Sequence, residues 1–298
     1  MGVIGNNIKK RNNINIMKIG ILIPITSKNR NWRTIKESYI YNIFLKSFLT
    51  TYCQQYEYTI YLGFDDDDKI FSKIKEQKTL LTFVSIMKNV GLKFIPMGNI
   101  NKGHLTKMWT KLMNIAYDEN CDYFYQCGDD IEFLDKGWVT DSIGILKQTN
   151  DIGVTGPYEK MQSRVLTQSF VSRKHKDIFG YFFPHEIINW FCDDWMTWVY
   201  KPCFFLPLYD KWCLNLGGQE RYEIVGKKTT KMKKKCKKLI ERDREKIFNY
   251  IKNMKIDVDK VQQKIKIKYE ASMKKNDNIV KEKYNNILKK KFKMGLIH

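Results

Sequence analysis

Short apolar runs alternate with amphipathic stretches over the first half of the chain. Continuous apolar runs closed by polar loops predict buried strands at residues 18–25, 58–64, 91–96 and 122–127. Apolar residues at helical spacing predict helices at residues 34–52 and 79–89. A third helix, opened by Gly103, is predicted from the face formed by Leu105, Met108, Trp109, Leu112, Ile115 and Ala116. This alternation predicts an α/β fold with a mostly parallel sheet and helices on both faces.

The C-terminal quarter has a different pattern. Apolar residues recur there at alternating spacings of about three and four, which predicts one or two long amphipathic helices with lysines on the other faces. This seam comprises Ile240, Ile247, Ile251, Met254, Val258, Val261 and Ile265. The six prolines all lie at or before Pro207, and sixteen of the seventeen glycines lie at or before Gly226. We therefore predict a polar N-terminal segment at 1–16, a globular domain at 17–226 and a Lys-rich helical extension at 227–298.

Positive charge is concentrated in that extension. The chain has a formal net charge of +21, and residues 227–298, with 25 basic and 8 acidic residues, account for +17 of it. Residues 1–226 are nearly balanced, so we expect no specific nucleic-acid binding by the globular part. For the extension we prefer docking on the domain or self-association, with contact to an anionic membrane surface as the alternative.

The sequence also bears on location. No apolar run approaches the roughly 18 residues that a membrane span needs, and the polar start of the chain has no signal-peptide core. The seven cysteines are odd in number and show no Cys-x-x-Cys spacing. This favours a reducing compartment over a disulfide framework or a structural zinc site. We expect a cytoplasmic protein.

Two carboxylates directly follow the fourth predicted strand. Asp129 and Asp130 lie on a strand-end turn, where paired carboxylates can converge on a hard divalent cation such as Mg²⁺ or Mn²⁺. Such a cation would neutralise a diphosphate. The alternative is a capped turn without function, since Asp and Gly often build turns. Ligands of parallel sheets bind at the carboxyl ends of the strands. Two other polar segments also follow predicted strands at that edge, namely the acidic run 65–68 and the Ser/Lys/Arg-rich loop 26–33.

The order of these segments resembles the nucleotide-sugar core of GT-A-fold glycosyltransferases. The resemblance covers residues 18–200 and rests on the helix that begins near Gly103, the strand that ends at Gly128-Asp129-Asp130, and a Gly-Trp pair a few residues later. It implies a metal-dependent enzyme that moves a sugar from a nucleotide diphosphate-sugar to a hydroxyl of a glycan, protein or lipid acceptor. The implied cofactor is Mn²⁺ or Mg²⁺.

The resemblance also implies roles for particular residues. Asp130 matches the metal-binding third position of the family's Asp-x-Asp motif and Asp129 its middle position, while Gly128 stands where the first Asp is expected. Asp193 or Asp194 resembles the late Asp that deprotonates the acceptor hydroxyl in inverting members. The residues implied to bind the nucleotide-sugar are Pro24, Thr26, Ser27, Lys28, Arg30, Asp65, Asp66, Gly103, Lys107, Gly128 and Asp129.

Aromatic residues surround Asp193 and Asp194. Aromatic faces pack well on sugar rings and carboxylates bind hydroxyls, so Trp190 and Trp195 are predicted to hold the acceptor. The alternative is an aromatic core with an Asp at a helix start.

Two histidines are further candidates for the site. His175 and His185 are candidates for a third metal ligand or an acceptor contact, although lone histidines are more often surface or core residues. For Asp67 and Asp68 a solvated acidic loop is expected.

Other functions stay open on the sequence. A sugar-phosphate nucleotidyltransferase uses the same metal chemistry, but it usually has a Gly-rich loop after the first strand, and residues 26–33 contain no glycine. Gly-Asp-Asp between apolar flanks also occurs in viral RNA polymerase palms, which need a second Asp motif far upstream. A non-enzymatic binding protein that acts through the basic tail is a further alternative. The sequence has no Gly-x-Gly-x-x-Gly or P-loop, which disfavours dinucleotide oxidoreductases and ATPases.

Overall fold

An eight-stranded sheet forms the centre of the protein in this computed structural model, which describes residues 16–159, 162, 164–218, 220–222, 230–257 and 263. The strands are β1 (Lys18–Ile25), β2 (Glu57–Phe64), β3 (Val90–Pro96), β4 (Tyr123–Gln126), β5 (Ile131–Phe133), β6 (Val154–Tyr158), β7 (Ser169–Ser172) and β8 (Phe205–Asn215). Their order is β3-β2-β1-β4-β7-β6-β8-β5. The first four strands in this order are parallel to one another. Strand β7 is antiparallel to them, whereas β6 and β8 run in the same direction as the first four. Strand β5 is antiparallel to β8.

Helices cover both faces of this sheet. Within the described residues they are α1 (Leu45–Thr51), α2 (Ile74–Val84), α3 (Leu105–Asp118), α4 (Trp138–Gln148), α5 (Lys174–Phe179), α6 (Cys192–Tyr200) and α7 (Thr230–Asn253). A 3₁₀ turn (Ile35–Glu37) and a π-helical turn (Ile40–Phe44) precede α1, so the helix predicted at 34–52 is interrupted. The predicted α/β fold with a mostly parallel sheet is confirmed.

Alternating residues of β1 supply two separate cores. Ile19, Ile21 and Ile23 face one core, which α1, α2 and α4 cover, whereas Leu22 faces the other, formed with α3, α5, α6 and α7. Gly20 lies on the second face, where a Cβ would come within 2.9 Å of the Cβ of Ala116. Because neither residue has a bulky side chain there, α3 packs directly against β1.

The basic tail begins with a helix that packs on the rest of the protein. Helix α7 contacts α5 and α6 and buries Cys236, Leu239, Asp243, Ile247 and Ile251. The predicted seam is confirmed at Ile247 and Ile251, whereas Met254 lies beyond the helix and is 52 % exposed. Predicted seam positions 258, 261 and 265 lie outside the described residues, as do residues 1–15. The domain boundary at 226 stays a prediction.

No helix in the described ranges combines the length and the apolar character that crossing a membrane requires.

Candidate functional site

A cavity of about 490 Å³ opens at the sheet edge where β1, β2, β4, β6 and β8 end. These five strands run in one direction, so the residues that follow them meet at this edge. The first turn of α6 adds Asp193 and Asp194 to the cavity wall. The lining residues that follow or end the strands are Thr26, Asp65, Asp129, Glu159 and Asn215.

Most of the predicted site residues line this cavity. They are Pro24, Thr26, Arg30, Asp65, Gly103, Gly128, Asp129, Asp130, Trp190, Asp193 and Asp194. Ser27 and Lys28 line a second cavity of about 410 Å³. The two cavities adjoin, because both have Thr26, Asp65 and Tyr222 in their walls. The structure thus brings these residues together, while the role of each stays a prediction.

Two predicted site residues lie in the core instead. Trp195 has no exposed surface, and its indole N–H donates to Oδ2 of Asp243 at 3.1 Å, so it cannot stack on an acceptor. His175 is buried, with Nδ1 2.8 Å from the hydroxyl of Tyr200 and Nε2 3.0 Å from the carbonyl of Phe182. Burial also lowers the pKa of His175 to about 4. The predicted acceptor role of Trp195 and metal role of His175 are therefore wrong.

Three other predicted residues line neither cavity. Asp66 and Lys107 are exposed and line neither cavity. Lys107 lies on the solvent face of α3, whose other face packs on the sheet. His185 is also exposed, with its ring 5.8 Å from that of Tyr181. In this structure these side chains are not placed to hold a nucleotide-sugar or a metal.

An arginine from the segment after β8 binds the two carboxylates that follow β4. Nη2 of Arg221 donates to Oδ1 of Asp129 at 2.5 Å and lies 3.3 Å from Oδ2 of Asp130. Burial by itself would lower the pKa of Arg221, but the two carboxylates raise it. Burial and the charge of Asp129 raise the pKa of Asp130 to about 6. One arginine therefore neutralises only part of the negative charge of Asp129 and Asp130.

Two glycines lie close to the Asp130 carboxylate. A Cβ on Gly128 or on Gly217 would clash with the Asp130 carboxylate. The N–H of Gly128 donates to Oε1 of Gln168 at 3.2 Å, and the N–H of Leu216 donates to the carbonyl of Asp130 at 2.9 Å. These contacts hold the turn, and a side chain at position 128 would require the Asp130 carboxylate to move.

The carboxylates of Asp129 and Asp130 fit a divalent cation whose remaining ligands come from water and substrate phosphate. Oδ2 of Asp129 is buried and has no hydrogen-bond partner among the described residues. Mg²⁺ and Mn²⁺ prefer such oxygens, and Mg²⁺ sites commonly use one or two carboxylates with water and substrate phosphate. No group of three or more His, Cys, Asp or Glu side chains in the described part of the chain is arranged to hold a metal. The pair therefore fits a cation shared with a phosphate group.

Tyr222 fills the groove between the loops that follow β1 and β2. Its hydroxyl donates to Oδ2 of Asp65 and lies 3.3 Å from Oγ1 of Thr26. Nζ of Lys28 lies 4.4 Å from the centre of its ring. Gly103 has a φ of +80°, and a Cβ there would come within 3.2 Å of the Cβ of Tyr222. Four residues predicted to bind the nucleotide-sugar therefore contact Tyr222 here.

Asp68 is a buried anchor and not part of a solvated loop, so that expectation was wrong. Its carboxylate accepts hydrogen bonds from the N–H and O–H of Ser27 at 2.7 and 2.8 Å and from the O–H of Thr26 at 3.0 Å. The N–H groups of Ile70 and Phe71 also donate to it, each at 3.0 Å. These bonds join the loop after β1 to the turn after β2, and both line the cavities.

Replacing Asp68 with Ala is expected to lower the free energy of unfolding by about 3 kcal/mol, because several buried donors lose a charged acceptor. Urea denaturation measures the change. The neighbouring Asp67→Ala variant is the control, since Asp67 is exposed as expected and pairs with Lys102 at the surface. Its unfolding curve should match that of the wild type within error. Equal losses in the two variants would contradict the anchoring role of Asp68.

The two acidic residues of α6 lie in different environments. Both guanidinium nitrogens Nη1 and Nη2 of Arg164 donate to Asp194, the second at 3.1 Å. Asp193 instead accepts a hydrogen bond from Sγ of Cys192 at 3.5 Å. Burial, together with the nearby charge of Asp194, raises the pKa of Asp193 to about 7. Asp193 can therefore take up a proton near neutral pH, whereas Asp194 is held in an ion pair.

Sequence reasoning missed several polar residues of the cavity, and four of them bear on its chemistry. They are Glu159, Arg164, Arg221 and Tyr222. Glu159 follows β6 and accepts a hydrogen bond from the N–H of Asn215 at 3.3 Å. The signal that could have indicated Glu159 is its position directly after a strand. That signal could not be used because the apolar pattern did not predict β6. No local pattern marks Arg164, Arg221 or Tyr222, because only tertiary structure brings them to the cavity.

Comparison with known proteins gives similarity at the level of structure. No protein-family model matches the sequence, and no curated protein matches it. The structure of S. aureus TarS residues 1–349 with UDP-GlcNAc is 15 % identical, with a TM-score of 0.51, and the match covers 76 % of this chain and 66 % of that one. For the same TarS fragment with UDP the identity is 13 %, the TM-score 0.47 and the coverage 66 % and 59 %. For TarS itself the identity is 14 % and the TM-score 0.46, and the match covers 66 % of this chain and 36 % of that one.

The chain therefore spans between about a third and two thirds of the length of these TarS structures. The match to the UDP-GlcNAc complex shows that the two proteins share a fold.

Proposed function

We propose that the protein is a metal-dependent glycosyltransferase of the GT-A type, which moves a sugar from a nucleotide diphosphate-sugar to an acceptor hydroxyl. The observation that carries the proposal is the meeting of Asp65, the Asp129–Asp130 pair and the acidic turn of α6 on one cavity. The TarS fragment that shares the fold binds UDP-GlcNAc, a nucleotide diphosphate-sugar. This supports the same class of donor here.

The donor would lie along the loops after β1, β2 and β4. Asp129 and Asp130 are the residues that would hold Mn²⁺ or Mg²⁺, which when bound supplies charge neutralisation for the departing diphosphate. Asp65 and Thr26 offer an acceptor and a hydroxyl to the nucleoside, and Lys28 adds positive charge near it. Since Arg221 and Tyr222 now contact these same groups, donor binding requires that both side chains move aside.

The acceptor would enter beside α6. Asp193 takes the proton of the acceptor hydroxyl while the oxygen forms the new bond to the anomeric carbon. The bond from that carbon to the nucleoside diphosphate breaks, and the diphosphate leaves with the electron pair. Arg164 holds Asp194 and so keeps the acidic turn in place. Trp190, which is 38 % exposed on the cavity wall, offers a face for a sugar ring.

A cytosolic location belongs to the same proposal. None of the seven cysteines forms a disulfide in the structure, which supports a reducing compartment.

Calorimetric titration with UDP, GDP, CDP and TDP, each with and without Mn²⁺, tests the donor site. We expect at least one of them to bind with an affinity that depends on Mn²⁺. If none binds to the folded protein in the presence of Mn²⁺, the donor site as proposed does not exist.

The Arg221→Ala variant is expected to bind Mn²⁺ about tenfold more tightly than the wild type in the absence of nucleotide. The reason is that the cation no longer competes with a charge-assisted hydrogen bond to Asp129. Titration followed by Mn²⁺ electron paramagnetic resonance measures the change. Arg164→Ala is the control, because it removes an arginine of the same cavity that pairs with Asp194. Weaker Mn²⁺ binding in Arg221→Ala would show that the arginine does not compete with the cation.

A further inference from the structure

Exposed lysines crowd the first turns of α7. They form the lysine cluster, defined as Lys231, Lys233, Lys234, Lys235, Lys237 and Lys238. All six are exposed, and no acidic residue lies in this stretch. The remainder of the helix, residues 239–253, contains three acidic and four basic residues. The positive charge of α7 is therefore concentrated at one end.

That end lies beside the part of the cavity where the acceptor would enter. Cys236 points inward from the middle of the lysine cluster, and its Sγ donates to the carbonyl of Phe191 at 3.8 Å. Phe191 lines the cavity and immediately precedes the acidic turn of α6. Burial raises the pKa of Cys236 to about 12, and the charge of Asp194 adds to the rise. The lysine cluster thus adjoins the rim of the acceptor side.

Neighbouring residues do little to neutralise the lysine cluster. Nζ of Lys237 lies 3.9 Å from Glu241, and such an exposed pair contributes little. The other five lysines form no ion pair within the described residues. Like charges within two helical turns repel each other, and cations at the start of a helix oppose its dipole. Among the described residues this arrangement is unfavourable, and a negatively charged partner that covers the lysine cluster would make it favourable.

We propose that the acceptor is an anionic polysaccharide and that the lysine cluster holds its charged groups while one hydroxyl reaches Asp193. This inference rests on the proposed function and names its acceptor class. A chain of sugars with repeated acidic groups supplies both features that this surface needs: several negative charges for the lysines and hydroxyls for transfer.

Two other polyanions fit the surface less well. A membrane-bound amphipathic helix needs a free apolar face, but that of α7 packs on α5 and α6. Among residues 230–246 no large hydrophobic side chain is exposed, and Phe248 is an exposed one further along the helix. Proteins that bind single-stranded nucleic acid combine positive charge with aromatic residues that stack on bases. The lysine cluster contains no aromatic residue and no arginine.

The test compares two variants of the full chain with the same loss of charge. The first replaces Lys231, Lys234, Lys235 and Lys238 with Gln. The second, the matched control, replaces Lys73, Lys75, Lys78 and Lys88, which are exposed in and around α2 beside the edge strand β3. The probe is fluorescently labelled dextran sulfate, with uncharged dextran alongside, and binding is followed by anisotropy at increasing salt.

We expect the wild type and the control to bind dextran sulfate with an affinity that falls as salt rises, and the cluster variant to bind about tenfold more weakly or worse. Equal binding by the two variants would overturn the proposal. Tighter binding to an oligodeoxyadenylate, or to vesicles of phosphatidylcholine with phosphatidylserine, than to dextran sulfate would also overturn it, in favour of nucleic acid or lipid.

Nucleotide titration with Mn²⁺ separates this inference from the proposed function. Both variants should keep the wild-type nucleotide affinity, because none of the replaced lysines lines either cavity. If nucleotide binding is intact and the lysine cluster has no effect, the acceptor class alone is wrong. If no variant and no wild-type sample binds nucleotide, the proposed function fails, and the acceptor assignment falls with it even where dextran sulfate still binds.

Discussion

The Asp130→Asn variant is expected to lose about a thousandfold in transfer rate while it stays folded. A bound cation stabilises the departing diphosphate by several kcal/mol, and each 1.36 kcal/mol or so corresponds to a factor of ten in rate. The fold should tolerate the change, because burial and Asp129 already raise the pKa of Asp130 to about 6 and the amide removes a buried charge. Release of nucleoside diphosphate from the nucleotide-sugar measures the rate, and thermal unfolding measures stability.

Asp141→Asn is the matched control for this prediction. Asp141 is an exposed carboxylate on α4 that pairs with Lys211 at 3.4 Å and lines neither cavity. Mn²⁺-dependent nucleotide binding should weaken in Asp130→Asn and stay unchanged in Asp141→Asn. A folded Asp130→Asn variant with wild-type activity would contradict the metal site at Asp130.

Strands β1 and β2 could be predicted from sequence because they are largely buried on both faces, and the edge strand β3, which has no fully buried residue, was found from its remaining apolar residues. The runs at 18–25, 58–64 and 91–96 match β1, β2 and β3 to within one residue at each end. Such strands appear as continuous apolar segments, and polar loops mark their ends. Helix α3 was found for a related reason, since its buried face repeats at helical spacing.

The antiparallel half could not be predicted in the same way. Strand β5 has three residues, β6 contains Gly156 and Pro157, and β8 includes polar residues where it is exposed. Strands β5 and β6 form no continuous apolar run, and the apolar first half of β8 contains Pro207 and is followed by polar residues. The pairing of these strands depends on contacts far apart in sequence. Helix α2 begins at Ile74, whereas the sequence predicted a start at residue 79. The prediction missed the first turn because that turn faces solvent and carries few apolar residues.

Site residues on strand ends were easier to predict than residues from elsewhere. Asp65, Asp129 and Asp130 line the cavity because the carboxyl ends of neighbouring parallel strands meet at one edge. By contrast, Trp195 and His175 are residue types that suit both a core and a site, and only their buried hydrogen bonds distinguish the two. Arg221 reaches Asp129 across more than ninety positions of sequence, so no local pattern could indicate it.

Asp193→Asn is expected to lower the transfer rate by a factor of about a hundred to ten thousand without weakening donor binding, because the amide cannot take the proton of the acceptor hydroxyl. The ionised form of Asp193 is the base. Since burial raises its pKa to about 7, the wild-type rate should rise as pH increases through about 7. Nucleotide affinity, measured by calorimetry at the same pH values, shows whether any loss comes from the donor side.

Asp194→Asn distinguishes the base from its neighbour. The charge of Asp194 helps to raise the pKa of Asp193, and Arg164, released from its ion pair, would lower it. The pH at which the rate is half-maximal should therefore move downward in Asp194→Asn, while the rate at high pH stays within about tenfold of wild type. A pH profile that keeps its midpoint in Asp194→Asn but loses its rising limb would assign the base to Asp194. Because the two carboxylates occupy the same helical turn, only this difference in environment makes their roles distinct.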